Sequence, residues 1–308
     1  MSSNSTNKKW SIDPKTLKLF TSVIELGTIA AAAQREHIAG SALSKRISDL
    51  EHAFGISLIT RDNRGVTATA AGLALFNLAR RVLNDFDGLY AQMRDYASGI
   101  QGHVRIFANI SAITQFLPAE LQSFLATHPG VQVHLEDEVS SAIVQAVADN
   151  AADVGILVSG AVADGLELFP YREDQLVLIT PQLHPLASRK AVRFAETLDF
   201  DYVGLHTTSS THVQLIHAAS AEQRSLRSPV QVNSYDALCL MVEAGLGLGV
   251  LPRKIAKSYA RALRIRILAL NEPWAHRTLA ICVRSYISLP VAARLFVDHL
   301  RQSKSPSG

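Results

Sequence analysis

The 308-residue chain has only two cysteines, Cys239 and Cys282, far apart in sequence. They form no CxxC and no metal-ligand spacing, so a disulfide framework is excluded and a reducing compartment is expected. No run of about 18 apolar residues occurs, so no membrane-spanning helix and no membrane partner are expected. The N-terminus "MSSNSTNKKW" lacks the apolar core of a signal peptide, and a cytoplasmic location is the expectation. A large excess of charge of one sign is also lacking. The net charge is +3, so any nucleic-acid contact must come from a local patch. Eleven histidines include no HExxH, and His212 and His217 are spaced to opposite sides of a helix. There is no GxSxG and no visible Ser–His–Asp arrangement. "GLGLG" (245–249) precedes a strand instead of following one, which puts the helix N-terminus in the wrong place for a pyrophosphate. No catalytic residue, no metal and no cofactor are therefore expected, and the protein is not read as an enzyme.

What is present is globular: 48% hydrophobic and 19% charged, with length for about two domains. Residues 1–13 read as a disordered, weakly basic tail. From Pro14 to about Ala97 the periodicity is helical. The stretch "ASGIQGH" (97–103) carries two glycines and no core residue and reads as a hinge over 98–102. Beyond it, β-rich runs such as "VRIFANI", "VQVHLE", "DVGILV", "LVLIT" and "YVGLH" alternate with helices. That alternation predicts a parallel α/β domain over 103–303.

The first helix carries Leu17, Phe20, Val23 and Ile24 and stops at Gly27. Thr28 is a good N-cap for a second helix, "IAAAAQREH", whose Ala32 and Ala33 allow close approach. A short turn with Gly40 leads into "SALSKRISDLE". Its apolar stripe is Leu43, Ile47, Leu50 and Phe54, and Ser41, Ser44, Lys45 and Ser48 lie opposite. Two helices joined this way fit a helix-turn-helix, whose second helix enters the DNA major groove. "LITRDNRGVTATAAG" (58–72) then reads as a hairpin, a wing carrying Arg61 and Arg64. Their guanidinium groups suit phosphate or the minor groove. A solvated helix face is the commoner meaning of Ser and Lys, but the turn and wing in register favour DNA binding over 14–68.

A long helix follows over 69–97. Its apolar positions Leu75, Ala79, Val82, Phe86, Leu89, Met93 and Tyr96 alternate steps of four and three, a heptad seam on roughly 40 Å of helix. Packing on the chain's own body is one reading. A homodimer seam, presenting two heads to two half-sites, is the preferred one, carried by Leu75, Val82, Phe86, Leu89 and Met93.

With these residues in view, the chain resembles the LysR-type transcriptional regulators. The matching stretches are "LKLFTSVIELGTIAAAAQ", "SALSKRISDLEHAFGISLITRDNRGVTATAAG" and the long linker helix, with looser matches at "ADVGIL", "LVLITPQLHPLA" and "EAGLGLGVLP". The family usually has Ser or Thr, Gln, then Pro or Ser before "ALS". Here Ala39, Gly40 and Ser41 stand there, so an N-cap hydroxyl and a base-reading amide are missing. Arg46 stands where Gln is common. Glu36 takes a spot usually filled by a core Leu, and must turn outward or pair with a base.

The resemblance implies an α/β fold with an all-α head: an N-terminal winged helix-turn-helix, a long linker helix, and a C-terminal two-lobed effector domain like a periplasmic binding protein. Lobe one would take 103–163 and 271–303, and lobe two 168–268, joined by two crossovers. A small-molecule effector in the cleft would meet helix starts that follow strands, where free N–H groups attract anions. Those places are Ser111 and Thr114, Ser140, His206, Thr207 and Thr208, with Asn233 and Ser234 from lobe two. Ser111 and Ser140 match family effector-contact positions; each is also a natural N-cap. No arginine is evident there, which favours a small or neutral-polar effector over a dicarboxylate. The resemblance further implies double-stranded operator DNA, a homodimer assembling to a homotetramer, and contact with RNA polymerase. DNA contacts would come from Ser41, Ser44, Lys45, Arg46, Arg61 and Arg64. Peroxide-sensing members use a nearby cysteine pair, which Cys239 and Cys282 do not resemble. Two other classes remain open: a cleft-binding protein whose head only dimerises it, and a non-specific architectural DNA-binding protein.

Overall fold

The computed structural model describes residues 12–62, 65–98, 102–160 and 165–302. The chain divides into two compact units, 1–94 with 149–151, and 95–148 with 152–308.

The first unit begins with α1 (Pro14–Leu26), α2 (Ile29–Arg35) and α3 (Gly40–Phe54). Asp13 caps α1 by accepting from the Thr16 N–H at 2.5 Å, Pro14 opens the helix, and Gly27 at φ 68° closes it. Ile12 packs against the head core, so Ile12 and Asp13 belong to the domain and not to the expected tail. Thr28 caps α2 by accepting from Ala31 N–H. The helix ends at Arg35, short of the expected His37, because His37 takes φ 53°. At α3, Ala39 supplies no side-chain cap. Leu19, Phe20, Val23, Ala32, Ala33, Leu43, Ile47 and Leu50 form the core. Phe54, expected in that stripe, is instead 48% exposed at the last turn of its helix.

Strands β1 (Ile59–Asp62) and β2 (Gly65–Ala68) pair antiparallel as the expected hairpin. Glu51 on α3 accepts from the Leu58 and Ile59 N–H groups at 2.8 and 3.2 Å, fixing the first strand to the helix. The return strand is fixed to the first helix by Val66 N–H donating to Gly27 O. Gly65 sits at φ 137°, and a Cβ there would meet that same Gly27 oxygen at 2.4 Å, so only glycine lets the strand come this close. Helix α4 (Ala70–Ser98) follows. Its Leu75 and Phe76 pack on the head core, so Leu75 anchors the helix to its own head and does not open a free seam. Ala79 is buried, while Leu78, Val82, Phe86, Leu89, Tyr90 and Met93 are exposed. The free stripe therefore starts near Leu78. The side chain of Tyr96 and most of the expected hinge lie outside the described residues.

The second unit runs through β3 (Gly102–Ala108), α5 (Ile110–Gln115), α6 (Leu117–Thr127), β4 (Val131–Asp137), α7 (Ser140–Ala148) and β5 (Val154–Val158). It continues with β6 (Glu167–Pro181), β7 (Ala191–Val192), β8 (Val203–Leu205), α8 (Ser210–Ala221), β9 (Val230–Val232) and α9 (Tyr235–Glu243). It ends with β10 (Gly249–Pro252), α10 (Arg253–Tyr259), β11 (Ile265–Leu270), β12 (His276–Val283) and α11 (Val291–Gln302). The sheet is mixed, not parallel throughout. The β4–β3–β5 pairings are parallel, whereas β12 runs antiparallel to β5 and β6, and β6 antiparallel to β10 and β11.

The reason is the length of β6. Its stretch Glu167–Gln175 runs along β12, with Tyr171 bulged out of the pairing, and its last six residues pair with β10 and β11. One core gathers on the β3–β5 side, with Phe124, Leu279, Ile281 and Phe296. Two more gather around the far half of β6, with Leu176, Tyr202 and Leu248, and with Val177, Leu238 and Leu251. Tyr171 and Phe169 pack in the first core, although the sequence assigned residues from 168 to lobe two. Ala275 packs in the second lobe, although it was assigned to lobe one. The lobes thus divide inside continuous strands, where no change of composition marks the break.

Candidate functional site

On the head, α3 turns Ser41, Lys45 and Ser48 to solvent, with Leu43, Ile47 and Leu50 buried beneath. Arg61 on β1 donates through Nη1 to Ser44 Oγ at 2.9 Å, which joins hairpin and helix into one polar surface. Arg46 is turned the other way. Its Nη1 donates to Thr16 Oγ1 at 2.8 Å and to Asp13 Oδ2 at 3.2 Å, so it holds α3 to the start of α1. That guanidinium, with the backbone N–H of Thr16 as the larger influence, keeps the Asp13 carboxyl below its ordinary range. Glu36 does pair: Ser22 Oγ donates to it at 2.6 Å, and Lys18 and Arg35 lie at 3.2 and 3.5 Å. Arg64 lies outside the described residues.

In the second unit a cavity of about 300 Å³ opens where the two lobes face each other. Strand ends and helix starts surround it. Asn109 and Ser111 come from the β3–α5 junction, Asp137 to Ser140 from β4–α7, Leu205, His206 and Thr208 to Thr211 from β8–α8, and Asn233 and Tyr235 from β9–α9. The first turn of each helix leaves N–H groups without intrahelical partners, so the walls are rich in donors. Ser140 Oγ and Asn109 Nδ2 are buried without hydrogen-bond partners. Asp137 and Glu138 also line the space. Burial, and then repulsion from Glu138, holds the Asp137 carboxyl above its ordinary value.

Behind Ser111 lies a charge that the sequence did not reveal. Arg277 on β12 faces Asp174 on β6 in direct register, and the two form a buried ion pair. Arg277 also donates to Thr211 Oγ1 at 3.1 Å and Ser111 Oγ at 3.2 Å. Ser111 Oγ hydrogen-bonds Tyr235 Oη at 3.0 Å, and Gln115 donates to Asp174 at 3.2 Å. Burial keeps the Tyr235 phenol protonated well above its usual range. The network ties α5 of one lobe to α8 and α9 of the other through the two strands that connect them. Among the described residues no arginine lines the cavity, as expected; Arg277 stands behind Ser111, and Asp174 neutralises it.

A family model described as the LysR substrate-binding domain matches residues 97–305, and one described as the bacterial regulatory helix-turn-helix protein of the lysR family matches 14–73. The chain belongs to the LysR family of transcriptional regulators. It has that family's DNA-binding helix-turn-helix domain and its effector-binding domain. The uncharacterized HTH-type transcriptional regulator YbhD of Escherichia coli (strain K12) is 27% identical, covering 91% of this chain and 88% of YbhD. The probable HTH-type transcriptional regulator LrrA of Synechococcus elongatus is 27% identical over 93% of this chain and 96% of its own. Among solved structures, full-length CbnR complexed with its target DNA superposes with a TM-score of 0.68 at 22% identity, covering 95% of this chain and 100% of that one.

For this LysR-family chain, the candidate residues fall into two groups. Ser111, Ser140, His206, Thr208 and Asn233 all line the cavity. Thr114, Thr207 and Ser234 stand outside the lining. Thr114 Oγ1 donates back to Ile110 O at 2.6 Å, Thr207 is exposed, and Ser234 caps α9 by accepting from Ala237 N–H. Sequence reasoning missed Asn109, Asp137, Glu138, Thr211 and Tyr235. The acids were legible as the end of the run "VHLEDE" just before Ser140. Arg277 had no local signal. Cys239 and Cys282 are both buried, and burial pushes their thiols up to about 12 and about 11, away from the reactive thiolate.

Proposed function

We propose that the protein is a cytoplasmic, ligand-responsive regulator that binds a dyad-symmetric operator through a winged helix-turn-helix and senses a small molecule in the cavity between its effector-domain lobes. Two heads pair through α4 as a homodimer, dimers assemble to a homotetramer, and RNA polymerase is the downstream contact. The observation that carries this reading is the continuous polar surface made by Ser41, Lys45 and Ser48 of α3 with Arg61 bonded to Ser44. Lys45 and Arg61 supply charge to phosphates, and the serines supply hydrogen bonds. The exposed stripe of Val82, Phe86, Leu89 and Met93 on α4 supports pairing with a second copy. Ligand between the lobes would shift their relative angle and with it the population of two assemblies.

A second reading has its own support. Ala39 gives α3 no side-chain cap and Arg46 is committed to Asp13 and Thr16, so base readout is thinner and a non-specific architectural role gains ground. One experiment separates the two. Purified protein is incubated with sheared genomic DNA at moderate salt, and the bound fraction is sequenced. A few sharp peaks with dyad symmetry support the regulator. Diffuse recovery supports the architectural reading, and no recovery at low salt rejects both.

A further inference from the structure

We infer that the effector is a zwitterion of the amino-acid type, carrying a protonated nitrogen that sits against Asp137 and Glu138 and a carboxylate that sits at the start of α7. This rests on the reading of the cavity as the effector site and names the class of molecule it takes.

The charge of the lining carries the argument. Asp137 and Glu138 both face the space, and among the described residues neither has a cationic partner. Among the described residues, no lysine or arginine lines the cavity. Arg277 stands behind it, and its charge is taken by Asp174. Two adjacent carboxylates without a cationic partner, Asp137 exposed and Glu138 half-buried, repel a dianion, and a neutral polyol brings no charge to offset them. A ligand cation relieves them directly.

The opposite need is met elsewhere on the lining. Asn109 is buried, lines the cavity, and leaves its Nδ2 donor without a partner; Ser140 Oγ is also unpartnered. Ser140 opens α7, a nine-residue helix whose first N–H groups have no intrahelical partner and whose N-terminus is its positive end. An acceptor of negative charge completes both. One small molecule that satisfies the acids and the donors together has a cationic nitrogen and a carboxylate within a few bonds. The space, about 300 Å³, holds a molecule of that size.

The test is thermal unfolding of the full-length protein with four sets of probes at neutral pH: the standard α-amino acids, their α-keto acids, their decarboxylated amines, and dicarboxylates and polyols. Magnesium and calcium chloride are run beside them. The expected result is a rise in Tm with at least one amino acid, absent with its keto acid and its amine. The Asp137→Asn/Glu138→Gln variant, or Asp137→Asn alone if the double variant does not fold, weakens the Kd for that amino acid at least tenfold. A rise with only keto acids, dicarboxylates, polyols or the metal salts overturns the assignment, as does no rise with any amino acid. Ser140→Trp, which fills the cavity, separates the two levels. If it abolishes binding of a ligand that the carboxylate variants leave untouched, the cavity reading stands and the charge class falls. If a ligand binds the filled variant unchanged, the cavity is not the effector site.

Discussion

The Arg277–Asp174 pair makes a quantitative prediction about the waist of the effector domain. Both side chains are buried, and they face each other across the two strands that connect the lobes. Arg277→Met leaves Asp174 with the Gln115 amide at 3.2 Å as its remaining side-chain donor. Asp174→Leu leaves the guanidinium with two neutral hydroxyls, Ser111 and Thr211. Removing one partner of a buried pair costs about 3–5 kcal/mol, because the other charge stays desolvated. In a domain of this size each kcal/mol lowers Tm by about 2–4 °C, so each single variant should melt roughly 6–20 °C lower.

The double variant removes both charges. What remains unsatisfied is neutral: Ser111 keeps Tyr235, and Thr211 and Gln115 lose their charged partners. At about 0.5–1.5 kcal/mol per hydrogen bond, the double variant should cost about 1–3 kcal/mol, less than either single change. The coupling from a double-mutant cycle is then at least about 3 kcal/mol, and about 6 kcal/mol at mid-range. Urea denaturation of wild type, both singles and the double measures it. Single variants within about 1 kcal/mol of wild type, or a strictly additive double, would refute the claim that the pair is dry and mutually dependent.

Other changes test the head and the linker. Arg61→Ala should weaken binding to all DNA sequences alike and reduce the log–log salt slope by about 0.9, as for one lost phosphate contact; an unchanged slope removes Arg61 from the backbone contacts. Phe86→Asp places a charge in the exposed α4 stripe and should halve the mass seen in sedimentation; the same mass as wild type means that the stripe is not the seam. Gly72→Ala would drive a Cβ to 1.8 Å from the Leu58 carbonyl oxygen and should destabilise the head by about 2 kcal/mol or more, read by loss of DNA binding at a temperature where wild type still binds. Asp13→Ala removes the α1 cap at a cost of about 1 kcal/mol. Because the folded-state pKa of Asp13 is depressed, its contribution is present above the ordinary carboxylate pKa and fades as pH falls through the lower folded value. Wild type and variant should therefore converge in stability in acid; a gap that persists unchanged to the lowest pH at which both fold would assign the effect to something other than ionisation.

The head was legible because its signals are local. Thr28, Gly27 and the Leu43–Ile47–Leu50 stripe each act within one helical turn of where they are written, and the structure puts them where periodicity did. The errors there are at ends, where a neighbour decides. Phe54 follows the stripe in sequence, yet Gly55 takes φ 67° directly after it and ends the helix with that ring still exposed. Arg46 looks like a groove residue until Asp13, 33 positions earlier, folds back beside it. Leu75 keeps the heptad step but lies on the part of α4 that the head core already covers.

The effector domain was legible in outline and opaque at its waist, for one physical reason. A strand that serves two cores shows no discontinuity, since Tyr171 and Leu176 are equally apolar and differ only in which lobe's side chains they meet. The residues that matter at the crossing are the polar ones between them. Asp174 and Arg277 each read as an ordinary solvated charge in its own strand, and only the register of β6 against β12 makes them opposite neighbours. Ser111 illustrates the consequence. Its place after the first strand marked it as a helix-start residue that could meet a ligand, yet its hydroxyl is already held by Tyr235 and Arg277 from elements more than a hundred residues away. A ligand that drew on Ser111 would therefore draw on the ion pair as well. Under the proposed function, the waist is where occupancy of the cavity would bear on the angle between the lobes.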